Sequence, residues 1–128
     1  MPTFTLVIGS ALGGFQEVLA RPSKGRKPGD GFLLIEQPLI DQKTNKQVGR
    51  LIASVKYMRL SHSGDPLLYF GNANHHLDDG VISVQGHWLE TETKPVFPII
   101  GGTGDYKFAR GTVTYETAIP QFTYDVKN

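Results

Sequence analysis

The chain has 128 residues, a length that fits one domain with a substantial core, so we treat residues 1–128 as a single domain. Its 13 Lys and Arg nearly balance its 12 Asp and Glu, which predicts no basic surface for nucleic acid or a membrane. The absence of cysteine excludes disulfides, thiol nucleophiles and cysteine-based zinc sites. The sequence shows neither a signal peptide nor a membrane-spanning stretch of ~18 apolar residues, so we expect a cytoplasmic protein.

Short segments rich in Val, Ile, Phe, Tyr and Thr alternate with turns along the chain, which predicts an all-β domain. The apolar run near the N-terminus is expected to be the first strand, and FQEVLA (Phe15–Ala20) is the one helix candidate. Residues 21–31 form the clearest loop, which is basic. We expect this loop to be exposed to solvent. The alternative is that it is a flap that binds an acidic substrate. Residues 41–49 are expected to connect a hairpin, and residues 61–65 and 71–80 to form further turns.

Four later segments alternate between apolar and polar residues, which predicts strands with one buried face. Such strands suit an antiparallel barrel or sandwich with a single interior. The expected interior positions are Leu51, Ala53, Val55, Tyr57, Ile82, Val84, Gly86, Trp88, Val113, Tyr115, Phe122, Tyr124 and Val126.

The segment GFLLIEQPLI (residues 31–40) is apolar on both faces and therefore needs a partner on each side. One face would meet the interior. The other would be covered by a neighbouring subunit or by the N-terminal segment of the same chain, and the sequence does not distinguish these two possibilities.

The glycine-rich stretch PIIGGTGDYKFARGTVTYE (residues 98–116) does not match a nucleotide-binding loop. It lacks the Walker pattern, and the Rossmann spacing fails because Lys107 stands where the third glycine is needed. We expect a tight corner between two strands, where positive φ or close backbone approach requires glycine.

Several segments resemble the allene oxide cyclase and dirigent protein superfamily. GGTGDYKFARGTV is similar to a glycine-rich segment of dirigent proteins, and FGNANHHLDDGVISVQGHWLE to a stretch of plant allene oxide cyclases. GDGFLLIEQPLIDQKTNKQVGRLIA resembles a stretch that both share, so the resemblance spans residues 29–126. It implies a closed eight-stranded antiparallel β-barrel with an apolar lumen, trimeric in the plant members, and identifies the chain as a divergent member.

The resemblance also implies positions in the lumen. Trp88 stands where the cyclases carry a lumenal Tyr, Glu36 where they carry an Asn, and Val55 where they carry a Cys. The cyclases' first-strand Glu has no counterpart here. These matches make two faces lumenal: the face of Val55, with Leu51, Ala53, Tyr57 and Arg59, and the face of Glu36, with Phe32 and Leu34.

The predicted catalytic residues are Glu36, Tyr57 and Trp88. A carboxyl group in an apolar lumen has a raised pKa and suits general acid or base catalysis. Alternatively, Glu36 is exposed or paired with Arg50 or Arg59, and Trp88 merely fills the core. The residues expected to bind substrate are Phe32, Leu34, Ala53, Val55, Arg59, Val84 and Tyr115.

No metal site is predicted, because His75 and His76 would point in opposite directions on a strand and no other spacing suits a metal. The sequence favours a cofactor-free cyclase or isomerase that closes a ring in an apolar, unsaturated small molecule within a biosynthetic pathway. The alternatives are a non-catalytic dirigent-like guide or carrier, and a structural domain filled by its own side chains. The expected partners are a hydrophobic small molecule and further copies of the chain, as a trimer or dimer, with no nucleic acid and no membrane.

Overall fold

The computed structural model describes residues 4–8, 15–20, 31–59, 67–89 and 91–127, and the side chains of residues 34–57, 68–89 and 91–127. Every regular element in these ranges is a β-strand. The strands are β1 (Phe4–Ile8), β2 (Phe15–Ala20), β3 (Gly31–Asp41), β4 (Gln47–Arg59), β5 (Leu67–Leu77), β6 (Gly80–Leu89), β7 (Val96–Gly104), β8 (Arg110–Glu116) and β9 (Gln121–Lys127).

The seven strands from β3 to β9 form one curled, half-barrel sheet in which each strand pairs antiparallel with the next. Strand β1 pairs with β9, where Leu6 lies opposite Phe122, and with the end of β3, where Ile8 lies opposite Leu39. Strand β2 pairs with an earlier part of β3, where Phe15 lies opposite Glu36. The predictions of an all-β domain and of a first strand near the N-terminus are confirmed.

Two sequence-based assignments are wrong. Phe15–Ala20 is the strand β2 rather than a helix, because six residues are too few to stabilise an isolated helix while β3 offers hydrogen-bonding partners. Most of residues 71–80 belong to β5 and not to a turn, which is confined to Asp78 and Asp79. Residues 21–30 and 61–65, expected to be loops, lie outside the described residues.

The hairpin predicted at residues 41–49 is confirmed. Oδ1 of Asp41 accepts a hydrogen bond from the backbone N–H of Lys43 at 2.7 Å, and Asn45 takes the left-handed conformation with φ of 56°. Asx turns of this kind favour Asp and Asn because their short side chains bond to nearby backbone. The chain thereby reverses between β3 and β4.

The glycine-rich corner between β7 and β8 is also confirmed. Gly104 ends β7 with φ of 62°, which a residue with a side chain rarely adopts. A Cβ atom on Gly102 would lie 2.5 Å from the carbonyl oxygen of Tyr106 and 2.6 Å from that of Val81. The corner therefore brings three backbone segments together, and it places Tyr106 and Ala109 in the core.

The buried side chains on the inner side of the sheet come from alternate residues of the strands, as the alternation predicts. No helix that could cross a membrane occurs in the part of the chain that is described. The buried apolar side chains are Leu39, Leu51, Ala53, Val55, Ile82, Val84, Phe97, Tyr106, Ala109, Val113, Phe122, Tyr124 and Val126.

Candidate functional site

A cavity of about 160 Å³ lies on the inner side of the curled sheet. Each of the seven strands from β3 to β9 contributes to its wall, and none of its lining residues carries a formal charge at neutral pH. The lining residues are Ile35, Gln37, Leu51, Ala53, Val55, Gly71, Asn72, Ala73, His75, Val84, Trp88, Phe97, Tyr115 and Phe122.

The space exists because small residues face each other on β4 and β5. Ala53 pairs with Ala73, and Val55 pairs with Gly71, so two neighbouring rows carry little side-chain volume. Larger residues at these positions would fill the interior, as in a small barrel that is solid throughout. The cavity is therefore a property of specific positions on two adjacent strands.

One side of the cavity is aromatic. The ring of Trp88 stacks on Tyr69, with centroids 5.1 Å apart and an interplanar angle of 19°, and meets Phe97 edge-on at 5.2 Å. Tyr57 packs against Tyr69 with centroids 6.1 Å apart. Elsewhere in the wall, the ring centroids of Tyr115 and Phe122 lie 4.8 Å apart. Rings held by their neighbours in this way present a fixed apolar surface to a flat molecule.

His75 is the polar residue that stands out in this wall. It is 0% exposed, and its Nδ1 lies 2.7 Å from the hydroxyl oxygen of Tyr124, which is also 0% exposed. The imidazole is in edge-to-face contact with the rings of Phe122 and Tyr124, with ring centroids 4.9 and 5.2 Å apart. The Nε2 atom has no hydrogen-bond partner among the residues that the structure describes.

Burial keeps the groups around His75 uncharged. Desolvation, with a smaller contribution from the neighbouring His76, lowers the pKa of His75 to about 3. Desolvation also raises the pKa of Tyr124 well above its ordinary value, and burial raises the pKa of Tyr115. At neutral pH the cavity wall thus contains a neutral imidazole, from His75, and a neutral phenol, from Tyr115.

Most of the residues predicted to bind substrate do meet at this cavity. Ala53, Val55, Val84 and Tyr115 line it, together with Trp88, which is one of the predicted catalytic residues. Their presence in one wall follows from the alternation of β4, β6 and β8, which the sequence itself displays. Whether they bind or transform a substrate stays a prediction.

The remaining predicted site residues have other places. Tyr57 contacts the aromatic side through Tyr69 but does not line the cavity. The side chains of Phe32 and Arg59 lie outside the described part of the structure.

The expected lumenal placement of Glu36 and Leu34 is wrong. Ile35 and Gln37 line the cavity instead, and the carboxylate of Glu36 forms an ion pair with Arg50 on the outer face. Strand β3 is apolar on both faces, so its alternation does not identify the inner one, and a shift of one residue exchanges the faces. The alternative pairing with Arg50 is the correct one.

His75 is absent from the predicted site because residues 71–80 resemble a turn in composition. A signal is present nonetheless, since Gly71, Ala73 and His75 alternate with Asn72, Asn74 and His76. That alternation is typical of a strand with one exposed polar face. His75 and His76 do point in opposite directions, one buried and the other exposed. No group of three metal-ligating side chains occurs within the described ranges.

These observations define a class: an antiparallel β-sheet protein curled around an apolar, aromatic-walled cavity. No family model and no curated protein matches the sequence. Among solved structures, the chain is similar to a pyocyanin demethylase, with a TM-score of 0.73, 21% identity, and coverage of 98% of this chain and 100% of that chain.

Two other solved structures extend the comparison. The Diels-Alderase AbmU from Streptomyces koyangensis has a TM-score of 0.70 and 15% identity, over 99% of this chain and 63% of that chain. The pterocarpan synthase dirigent protein PsPTS1 has a TM-score of 0.66 and 18% identity, over 98% of this chain and 90% of that chain.

These proteins share the allene oxide cyclase/dirigent-like barrel fold, and the chain has that fold as well. The resemblance found in the sequence is thereby confirmed at the level of fold. A shared fold does not define a reaction, so the chemistry must be argued from the cavity.

Proposed function

We propose that the protein is a cofactor-free cyclase or isomerase that binds an apolar, unsaturated small molecule in the cavity and directs a stereocontrolled ring closure in a biosynthetic pathway. The observation that carries this proposal is an uncharged, aromatic-walled cavity inside a fold that Diels-Alderases share. A ring closure joins two ends of one molecule without adding or removing atoms. Holding those ends in a reactive geometry lowers the barrier by the conformational entropy that the free molecule would lose, a smaller gain than the about 7–11 kcal/mol available when two separate reactants are brought together.

The size of the cavity limits the substrate. Its volume of about 160 Å³ is close to that of an engineered apolar cavity of about 150 Å³ that binds benzene. We therefore expect the reacting part of the substrate to be no larger than one or two small rings. The ring of Trp88 would contact an unsaturated system on its side away from Tyr69, and Tyr115 would supply a second aromatic contact in the wall.

Two further features of the sequence-based proposal concern assembly. We propose that the two pairings of β1 close the curled sheet into an eight-stranded barrel, so that the cavity becomes its lumen. A trimer or dimer, in which the apolar outer residues of β3 are covered, stays part of this proposal. Glu36 has no catalytic role in it, because its carboxylate faces away from the cavity and pairs with Arg50.

Intrinsic fluorescence offers a direct test of binding, because Trp88 is the single tryptophan of the chain. Ethylbenzene does not absorb the light that excites tryptophan selectively. Its binding should therefore be visible as a saturable change in the emission of Trp88. In Trp88→Phe, isothermal calorimetry should still detect the probe with weakened affinity. Absence of saturable binding to the unchanged protein would contradict the proposal and favour a structural domain filled by its own side chains.

Catalysis requires a second test. A linear trienone that closes by an intramolecular Diels-Alder reaction should react faster with the protein than in buffer, and chiral chromatography should show one product enantiomer in excess. Replacing Ala53 by Leu should remove both effects by filling the cavity, whereas Lys56→Leu on the outer face of β4 should retain them. Binding of the trienone with unchanged rate and racemic product would rule out the cyclase.

The similarity to pterocarpan synthase dirigent proteins favours one alternative, a non-catalytic guide or carrier for a hydrophobic molecule. A guide imposes stereochemistry on a reactive species made elsewhere and does not accelerate its formation. Saturable binding without acceleration, combined with stereochemical bias when an external oxidant generates the reactive species, would support this alternative.

A further inference from the structure

Tyrosines aside, His75 is the one fully buried polar side chain in the described part of the chain, and it lines the cavity. Buried polar atoms in proteins almost always have a hydrogen-bond partner, so an unpaired one calls for an explanation. Here that atom is Nε2, which has no partner among the described residues and belongs to a ring that borders the cavity. A ligand bound in the cavity is one group that could supply this partner.

The imidazole ring is held in place on its other side. Nδ1 bonds to Tyr124 at 2.7 Å, and the imidazole lies nearly perpendicular to the rings of Phe122 and Tyr124, at interplanar angles of 90° and 89°. The two aromatic contacts hold the plane of the imidazole, and the hydrogen bond to Nδ1 opposes a flip that would exchange its two nitrogens. Nε2 is therefore held in a fixed position.

The partner of Nδ1 determines which nitrogen carries the hydrogen. A phenol is a better donor than acceptor and a neutral imidazole nitrogen is a good acceptor, which favours donation from the Tyr124 hydroxyl to Nδ1. In a neutral imidazole the hydrogen then resides on Nε2. Nε2 would then carry an N–H donor, and because this atom is buried, a ligand in the cavity would reach it through a small shift of the wall.

We propose that Nε2–H of His75 donates a hydrogen bond to the carbonyl oxygen of a neutral, otherwise apolar ligand bound in the cavity. The inference deepens the proposed function and rests on the same cavity being the ligand site. Neutrality follows from the wall, which has no cationic lining residue to balance a buried anion. In a ring closure, this bond would polarise an unsaturated carbonyl compound and stabilise the negative charge that develops on its oxygen.

A matched pair of probes tests the proposal. Acetophenone and ethylbenzene have nearly the same shape, but only acetophenone has a carbonyl oxygen. The protein should bind acetophenone about tenfold more tightly than ethylbenzene, a difference of about 1.4 kcal/mol. In His75→Phe this preference should vanish while ethylbenzene still binds.

The same substitution at the next position is the control. His76→Phe alters an exposed residue on the opposite face of β5, and the preference for acetophenone should persist there. The carbonyl stretching frequency of bound acetophenone should shift to lower energy in the unchanged protein and in His76→Phe, and not in His75→Phe. An equal preference for acetophenone in all three proteins would overturn the proposal.

A measurement on the unchanged protein avoids dependence on the folding of variants. Nitrogen-15 NMR of the imidazole should show a protonated Nε2 and an unprotonated Nδ1, with the Nε2 resonance shifting on addition of acetophenone. The proposal would be contradicted by a protonated Nδ1, or by an Nε2 resonance that does not shift when acetophenone is added. If the trienone shows no rate acceleration while the carbonyl preference holds, the cyclase fails and the ligand site stands.

Discussion

The hydrogen bond between Nδ1 of His75 and the hydroxyl of Tyr124 joins β5 to β9, two strands that are separated by three others in the sheet. It therefore crosses the inside of the curl, beside the cavity and not along a strand ladder. Sheet hydrogen bonds fix the register of neighbouring strands, whereas this bond fixes the distance between opposite walls. The following predictions concern this pair, the outer face of β3 and the glycine-rich corner.

Removing the Tyr124 hydroxyl should destabilise the protein. Tyr124→Phe leaves Nδ1 of His75 unpaired in the core, and we expect the free energy of unfolding to fall by about 1–3 kcal/mol. Tyr124 makes other interactions too, so a double-mutant cycle with His75→Phe is needed to isolate the pair. The two substitutions should be non-additive by at least about 0.5 kcal/mol in urea unfolding. Strict additivity would show that the bond contributes nothing.

Stability should depend on pH through His75. Its pKa is about 3 in the folded protein and 6.5 in the unfolded chain, so between these values the unfolded state binds more protons. The free energy of unfolding should therefore fall as pH decreases through this window, with a slope approaching about 1.4 kcal/mol per pH unit. The contribution is fully present above pH 6.5.

The comparison with His75→Phe separates this effect from the carboxylates. Both proteins contain the same Asp and Glu residues, so the difference in their unfolding free energies should change with pH only through His75. Urea unfolding at a series of pH values measures that difference. If this difference stays constant across the acidic range, the pKa of His75 is the same in the folded and unfolded states.

Glu36 should be unimportant for binding. Its ion pair with Arg50 is partly exposed, with side-chain exposures of 39% and 47%, so Glu36→Gln should change the unfolding free energy by less than about 1 kcal/mol. The affinity of the Glu36→Gln variant for ethylbenzene should be unchanged. The neighbouring Gln37→Glu places the carboxyl group in the cavity wall instead, and should weaken that affinity by about tenfold or more. If calorimetry showed that Glu36→Gln weakens the binding of ethylbenzene more than Gln37→Glu does, Glu36 and not Gln37 would face the cavity.

The glycines of the corner should differ in their tolerance of a side chain. Gly102→Ala brings a methyl group within 2.6 Å of two carbonyl oxygens, and it should destabilise the protein by more than about 1 kcal/mol. A methyl group on the adjacent Gly101 would meet no atom of a non-neighbouring residue within 4 Å, so Gly101→Ala should stay within about 0.5 kcal/mol of the unchanged protein. Thermal unfolding of the two variants compares them directly. Equal losses would show that the corner does not depend on close backbone approach.

Much of the fold is predictable from the sequence because it depends on local patterns. The one-sided alternation of β4, β6, β8 and β9 identifies the inner residues. The glycine-rich stretch matches no nucleotide-binding motif, so a tight corner between two strands is the role that the sequence predicts for its glycines. Phe15–Ala20 is misassigned because a short segment has no strong preference of its own, and its partner β3 decides its structure.

The site is predictable only where alternation is unambiguous. Trp88 and Val84 are placed correctly because the opposite face of β6 is polar. Glu36 is misplaced because β3 is apolar on both faces, and only pairing with β4 determines which face turns inward. The contact between His75 and Tyr124 joins residues 49 positions apart, and no local pattern encodes such a distance.

The wall of the cavity takes one to four residues from each of seven strands, and these side chains take no part in the hydrogen-bond ladders that hold the sheet. A substitution at one of them can therefore alter which molecule fits while the backbone stays as it is. Divergence in such a protein can therefore proceed one wall position at a time, within the limits that core packing sets. This accounts in physical terms for solved structures that share this architecture at 14–21% identity and yet carry names as different as demethylase, Diels-Alderase and dirigent protein.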